Sequence, residues 1–246
     1  MKRLFDIILS LIGLTILMPL IIIFSFLIWA QDFKSPFYVA DRVGKNGRLF
    51  KMIKFRSMIV NASSSGVDST AEDDNRITNI GKVVRKFKID EIPQLFNVLI
   101  GKMSFVGPRP NVLNETNLYS EIENKILTVR PGITDFSSIV FSDEGEILKG
   151  SKNPDLKYNQ IIRPWKSRLA IIYIENQSLI IDIKLIIWTI IGIINKKVVL
   201  KNITNFLTNI GCDPKLIDAC KRDRELEPFP PPGFNNIINS REKHVG

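Results

Sequence analysis

The chain has 246 residues, 45% of them hydrophobic, with a formal net charge of +9. That composition excludes wholesale disorder and fits one domain with or without a membrane segment. The only histidine is His244 and the only cysteines are Cys212 and Cys220, which excludes a Ser-His-Asp triad on the body of the chain and a zinc-type ligand spacing.

Chemistry must therefore run on carboxylates, hydroxyls and cations. Any metal would be hard and oxygen-bound, such as Mg²⁺. The two cysteines read as reduced thiols. The excess of Lys and Arg points to an anionic partner: phosphate substrates, nucleic acid or an anionic membrane leaflet.

Leu11–Ala30 carries no charge over twenty residues. As a helix it would cover roughly 30 Å, the thickness of a hydrocarbon core. Pro19 sits inside it and predicts a bend. Lys2 and Arg3 precede the segment, and Lys34, Arg42 and Lys45 follow it. Positive residues favour the cytoplasmic side, so cations on both flanks fit a re-entrant hairpin that leaves by the face it entered. The residues alone leave a simple span open as well. In the hairpin, Asp6 would lie at the membrane interface. A signal peptide fits less well, because the apolar stretch is long and no clear cleavage site follows.

Phe37–Met58 reads as a β-hairpin around Gly44-Lys45-Asn46-Gly47. Lys54 and Arg56 share one face of an extended chain. They read either as a pair for phosphate oxygens or as a solvated strand edge. Asn61–Arg76 is polar and reads as a loop, a candidate lid or binding element. Asp73 and Asp74 there are candidate metal ligands or solvated loop charges.

Ile77–Phe87 reads as a basic helix with Lys82, Arg85 and Lys86, and Lys88 follows it. Asp90-Glu91 comes next. On one reading Asp90 caps a helix and Glu91 meets its dipole, with Pro93 in the first turn, Leu95, Val98 and Leu99 on an apolar face, and Gly101 as the stop. On the other, a carboxylate beside a helix N-terminus attacks phosphorus, while a divalent cation and Lys54, Arg56, Arg85 and Arg109 neutralise the repulsion. Arg109 lies between Pro108 and Pro110, which stiffens its backbone. Arg130-Pro131-Gly132-Ile133-Thr134 is a second cation–turn unit.

Residues 169–194 are apolar but carry Glu175, Asp182 and Lys184. They predict amphipathic helices on the membrane surface or on the core, with Trp188 a candidate anchor. The uncharged run Leu185–Ile194 is too short to span. Beyond about Lys201 the chain reads as a polar tail with an extended Pro-rich stretch, Glu227–Gly233, serving as a linker or docking segment.

Taken in order, the Pro-broken apolar segment, Lys54-Phe-Arg-Ser-Met58, Asp90-Glu-Ile-Pro-Gln-Leu95, Asn97-Val-Leu99, Met103-Ser-Phe-Val-Gly-Pro-Arg-Pro110 and Arg130-Pro-Gly-Ile-Thr134 resemble the bacterial sugar transferases, the monotopic polyprenyl-phosphate phosphoglycosyl transferases. The resemblance covers roughly Lys2 to Ile194. It implies an α+β, mainly helical, monotopic membrane protein. Residues 1–34 would form a re-entrant helix hairpin bent at Pro19, and 35–200 a catalytic domain with a small β-hairpin and interfacial helices. Residues 201–246 would form the tail.

It also implies transfer of a sugar-1-phosphate from a nucleotide diphosphate sugar to polyprenyl phosphate at the cytoplasmic face of the bacterial inner membrane. Asp90 would be the nucleophile. Glu91, with Asp90, would hold Mg²⁺, while Lys54, Arg56, Arg85, Arg109 and Arg130 would bind phosphates. Membrane lipid is then a partner and nucleic acid is not; a homo-oligomer is left open. A membrane-anchored basic scaffold or nucleic-acid binder is the alternative reading, although no nucleic-acid motif accompanies the charge.

Three positions depart from the family pattern. Met18 precedes Pro19 where Ser is common, Lys102 stands where an acid is usual, and Asp135-Phe-Ser-Ser-Ile139 replaces a Gly-led segment. The last leaves the donor sugar open.

Overall fold

The computed structural model of the chain describes residues 1–62 and 66–240. His244 and part of the Asn61–Arg76 loop lie outside the described residues.

An apolar N-terminal helix, α1 (Lys2–Ala30), runs along the body of the protein. Leu14, Ile21 and Ile28 recur every seven residues, so they fall on one face, where they are buried with Phe55, Val84 and Leu95. The other face exposes Ile8, Ile12, Ile16, Ile22, Ile23 and Phe26. The structure has one helix through Pro19, not two limbs joined by a loop. Proline lacks the N–H that Thr15 O would accept, yet the flanking turns remain helical.

Both ends of α1 are tied to the same body. Near the start, Lys2 Nζ donates to Asp182 Oδ2 at 2.5 Å. Arg3 donates to the carbonyls of Val98 and Leu99 at 2.5 and 2.7 Å. Asp6 is buried and accepts from Ser104 Oγ and Phe105 N, each at 3.0 Å. It therefore ties α1 to Ser104 and Phe105. Just past the other end, Asp32 pairs with Arg56.

The expected hairpin is present. Strand β1 (Phe37–Val43) pairs antiparallel with β2 (Leu49–Phe55), from Phe37↔Phe55 to Val43↔Leu49. Asn46 and Gly47 take φ of 58° and 73° in the turn. After the loop comes α2 (Asn79–Lys86), then α3 (Gln94–Leu99), which stops at Gly101 with φ 81°. Buried Asn97 fastens α3 to β2: its Oδ1 accepts from Ile53 N at 2.9 Å and its Nδ2 donates to Lys51 O at 2.7 Å.

Strand β3 (Ser104–Val106) is followed by α4 (Leu113–Thr116) and pairs parallel with β4 (Gly132–Thr134). A Cβ added to Gly132 would lie 2.1 Å from Gly107 N, and one on Gly107 would lie 2.5 Å from Arg130 O. Only glycine permits that approach, and it brings the Gly-Pro-Arg-Pro and Arg-Pro-Gly-Ile-Thr units together.

The main core is helical. It comprises α5 (Phe136–Val140), α6 (Glu144–Leu148), α7 (Pro154–Ile161), α8 (Arg163–Glu175), α9 (Leu179–Ile194), α10 (Lys196–Asn209) and α11 (Pro214–Lys221). The mainly helical α+β expectation holds. Of the helices over 169–194, α8 is largely buried, while α9 exposes Ile180, Ile187, Ile190, Ile193 and Ile194. Trp188 packs against the core, not outward as an anchor.

The boundary expected at residue 200 falls inside α10. Val199, Leu200, Ile203 and Leu207 of α10, with Leu216 and Cys220 of α11, are buried in the main core. Their 3–4 residue spacing is an apolar helix stripe that the polar composition of the tail conceals. The Pro-rich stretch does dock: Phe229 stacks on Trp165 with ring centroids 4.6 Å apart, and Arg168 donates to Pro230 O.

Candidate active site

The acid pair is placed by a tight turn. Lys88 adopts φ 57°, and Ile89–Glu91 follow as a single 3₁₀ turn ahead of α3. Asp90 makes no capping bond to α3, whose N-cap position is Pro93. The capping role read from the sequence is thus not the one Asp90 plays. The left-handed Lys88 aims both carboxylates at β2 and the 107–110 loop.

Lys54 Nζ lies 3.6 Å from Asp90 Oδ2 and 3.5 Å from Glu91 Oε1. Arg109 holds Glu91 from the other side by paired bonds. All four side chains are at least two-thirds buried. Burial pushes the Asp90 carboxyl up from its ordinary value, against the pull of Lys54. Burial would also raise Glu91, but the charges of Arg109 and Lys54 outweigh it and hold Glu91 well below the usual carboxylate range. The Lys54 ammonium is pulled down by burial, partly offset by Glu91. Glu91 drives Arg109 further up. Two adjacent carboxylates thus differ sharply, the pattern expected where one must react and the other must hold charge.

These groups lie in an open cleft of about 1830 Å³. Arg85 and Lys88 line it and act on Asp90. Leu17 of α1 and Gly192 and Ile193 of α9 give it an apolar edge, and Ile193 also belongs to the exposed face of α9.

The structure does not gather every expected residue. Arg56 borders the cleft, but its guanidinium is committed to Asp32 at 2.5 and 2.6 Å and to Ser35 O at 2.8 Å. It anchors the end of α1 and binds no carboxylate of the acid pair. Arg130 Nε donates to Gly101 O at 2.9 Å, outside the cleft lining. Pro19 is exposed on α1, remote in role from the acid pair. Asp74 pairs with Arg76, and Asp73 accepts from Gly150 N. Asp135 is fully buried as the N-cap of α5, so of that departing segment only Ser138 and Ile139 reach the cleft.

Other cleft residues were not singled out from the sequence. Glu144, ion-paired with Lys166, also acts on Arg109. Asp143 sits between Lys196 and Arg222. No spacing links these residues in the sequence; only packing of α6, α8, α10 and the end of α11 joins them. Arg42 was read only as a flanking cation, although its alternation with Tyr38 on β1 was legible.

Asp90 and Glu91 offer hard oxygen donors. Among the described residues no group of three or more His, Cys, Asp or Glu side chains gathers around a point. That donor set suits Mg²⁺, which binds through one or two carboxylates and completes its shell with water and phosphate oxygens.

The family model described as bacterial sugar transferase matches residues 1–196. Over 134 residues the chain is 45% identical to the putative undecaprenyl-phosphate N-acetylgalactosaminyl 1-phosphate transferase of Bacillus subtilis (strain 168), covering 54% of this chain and 70% of that one. Identity to the exopolysaccharide production protein ExoY of Sinorhizobium fredii (strain NBRC 101917 / NGR234) is 33% over 206 residues, covering 77% and 83%. The galactosyl transferase CpsE of Streptococcus agalactiae serotype III (strain NEM316) is 36% identical over 200 residues. That match covers 77% of this chain but only 41% of CpsE.

Proposed function

Because the chain belongs to the bacterial sugar transferase family, we propose that it moves a sugar-1-phosphate from a nucleotide diphosphate sugar to undecaprenyl phosphate and so starts a surface glycan. The observation that carries this reading is the buried Asp90-Glu91 pair held between Lys54 and Arg109 in a cleft with an apolar edge. The apolar edge supports a lipid-borne acceptor, and the cations support phosphates.

Asp90 attacks the sugar-bearing phosphorus. An Oδ–P bond forms, the P–O bond to the nucleoside phosphate breaks, and nucleoside monophosphate leaves with that electron pair. An oxygen of the lipid phosphate then attacks the same phosphorus, and the carboxylate is the second leaving group. Splitting the transfer lets one phosphate-sized site serve two acceptors in turn, the basis of ping-pong kinetics. Lys54 and Arg109 reduce anion–anion repulsion, and Glu91 keeps Arg109 oriented. When bound at Asp90 and Glu91, Mg²⁺ supplies charge neutralisation of the phosphates.

We place the protein on the cytoplasmic face of the bacterial inner membrane, with the outward apolar face of α1 lying in that face. The ties of Lys2, Arg3 and Asp6 at one end, and of Asp32 at the other, to a single body support this. A span would carry the two ends to opposite sides. Basic residues near the surface add about 1 kcal/mol each toward an anionic leaflet. We infer no nucleic-acid partner, because Lys54 and Arg109 beside the acid pair are committed to carboxylates.

The test uses membranes containing the full chain with undecaprenyl phosphate and a panel of nucleotide sugars. Mg²⁺-dependent release of nucleoside monophosphate and a trapped phosphosugar adduct at position 90 are expected, and Asp90→Asn should yield neither. An active preparation that never forms the adduct overturns the covalent route.

A further inference from the structure

Twelve lysines and arginines line the cleft against eight aspartates and glutamates. Lys54, Arg56, Arg76, Arg109, Lys166 and Lys196 each have a carboxylate within ion-pair distance. Lys34, Lys82, Lys86 and Lys88 are exposed, where water solvates an unpaired ammonium at little cost. Two cations remain, Arg42 and Arg85. Both are half-buried, and neither has a carboxylate partner among the described residues.

Arg85 is already accounted for, since it acts on Asp90. Arg42 is not. The one side-chain hydrogen bond it makes among the described residues runs from Nη1 to its neighbour's carbonyl, Asp41 O, at 2.8 Å. A guanidinium has five N–H donors, so most of its capacity is open. Burial pulls its pKa down, as does the charge of Arg109, while Tyr38, Asp68 and Asp41 act the other way. Those carboxylates act from beyond ion-pair distance, so a half-buried guanidinium beside Arg109 keeps donors open to an incoming anion.

Register fixes where it points. Tyr38 pairs with Lys54 across the hairpin. Side chains alternate along a strand, so Tyr38, Ala40 and Arg42 share the side that carries Lys54. Lys54 in turn faces the acid pair. Arg42 pairs with Phe50, four residues along the hairpin from the Tyr38–Lys54 level, which is about 13 Å at the rise of a strand. Arg85 lines the cleft and acts on the attacking carboxylate, and Arg42 lines the same cleft farther along β1, away from the Lys54 level. In-line displacement puts the leaving oxygen opposite the attacking one.

We propose that Arg42 binds the phosphate of the departing nucleoside monophosphate. The inference rests on the transfer reaction proposed above. As the Asp90 Oδ–P bond forms and the P–O bond to the nucleoside phosphate breaks, negative charge grows on the released oxygen. Arg42, with Arg109, neutralises it. The second displacement involves no nucleotide, so Arg42 is idle there.

The test uses full-length protein in detergent–lipid micelles and three readouts. The first is binding of UMP, with the other nucleoside monophosphates in parallel. The second is single-turnover release of monophosphate without lipid phosphate. The third is discharge of a preformed adduct by undecaprenyl phosphate. Arg42→Met should weaken monophosphate binding about 10-fold and slow the first half-reaction about 100-fold, with the third readout unchanged. Arg42→Lys should recover part of the binding. It also carries the test, with Arg42→Gln, if the Met variant fails to fold by thermal unfolding.

Unchanged monophosphate binding, or equal slowing of both half-reactions, overturns the role of Arg42. If the wild type forms an adduct that Arg42 variants form equally fast, this inference fails and the transfer reaction stands. If monophosphate binds through Arg42 but no nucleotide sugar yields an adduct, the transfer reading fails and the phosphate site stands.

Discussion

Arg109 grips Glu91 through two hydrogen bonds, Nη2 to Oε1 at 2.5 Å and Nη1 to Oε2 at 3.2 Å. The fork neutralises one carboxylate of the pair, while Asp90 is left facing Lys54 at 3.6 Å. Lysine at 109 would keep the charge but lose the fork. Arg109→Lys is expected to slow adduct formation about 100-fold. Arg109→Met should destabilise the fold by about 2 kcal/mol, because it leaves a mostly buried carboxylate with only the longer contact to Lys54. Adding Glu91→Gln should recover most of that loss in unfolding experiments. Equal destabilisation of the single and double variants would show that the pair does not hold the site.

Asp90 carries a stability cost whose sign follows from its environment. Its folded pKa is raised by burial above the unfolded value. Its contribution to stability is therefore full below the unfolded pKa and is lost as pH rises through the folded one. Near neutral pH the ionised carboxylate opposes folding. Asp90→Asn should abolish transfer yet raise Tm by about 2–5 °C at about pH 7, and the gain should vanish near about pH 3. A variant less stable than wild type at neutral pH would contradict the burial argument. In the active protein, Lys54→Met should move the acid limb of adduct formation upward, since it removes the cation that favours ionised Asp90.

Gly132→Ala should break the contact between the two cation–turn units. The new methyl would meet Gly107 N at 2.1 Å, backbone that cannot step aside. A loss of about 3 kcal/mol or more is expected, with activity falling alongside Tm. Gly192→Ala is the control: its methyl meets only Ile139 and Val199 side chains at ordinary distances of 3.8 and 4.0 Å, and Tm should hardly move. Normal stability in Gly132→Ala would mean the two loops do not approach as described.

Residues 1–196, the span matched by the family model, should not fold as a separate piece. Cutting there removes Val199, Leu200, Ile203, Leu207, Leu216 and Cys220 from the core. Each fully buried side chain of this kind contributes roughly 1.5–3 kcal/mol, so together they rival a domain's whole net stability of about 5–15 kcal/mol. Cutting after Arg222 removes only the docked strap with its Phe229–Trp165 stack and should leave a folded, less stable protein. Limited proteolysis and thermal unfolding separate the two outcomes.

Cysteines placed at Lys2 and Lys34 should react with an impermeant thiol reagent from the same side of the membrane. Cys220 will not interfere in the folded state, since burial removes it from solvent and pushes its thiol up to about 12. Cys212 should be replaced first, being only half-buried. Labelling of the two ends from opposite sides would make α1 a span.

The side chains offered to the candidate site were legible in the sequence. With no histidine on the body, carboxylates, hydroxyls and cations are the groups it offers for chemistry. The run Leu11–Ala30 announced the apolar helix, and Gly44–Gly47 announced the hairpin. These are local properties, fixed by composition, by side-chain alternation and by the backbone limits of Gly and Pro. Only tertiary structure decided which cation meets which anion. Strand alternation put Lys54 and Arg56 on a shared face, but packing sent Lys54 to the acid pair and Arg56 to Asp32 at the end of α1. It also turned Arg130 toward Gly101, drew α10 and α11 into the core and left Arg42 half-buried without a carboxylate partner among the described residues. A charge pair between distant residues forms where burial makes an unpaired ion costly, and burial belongs to the folded arrangement, which no stretch of sequence contains.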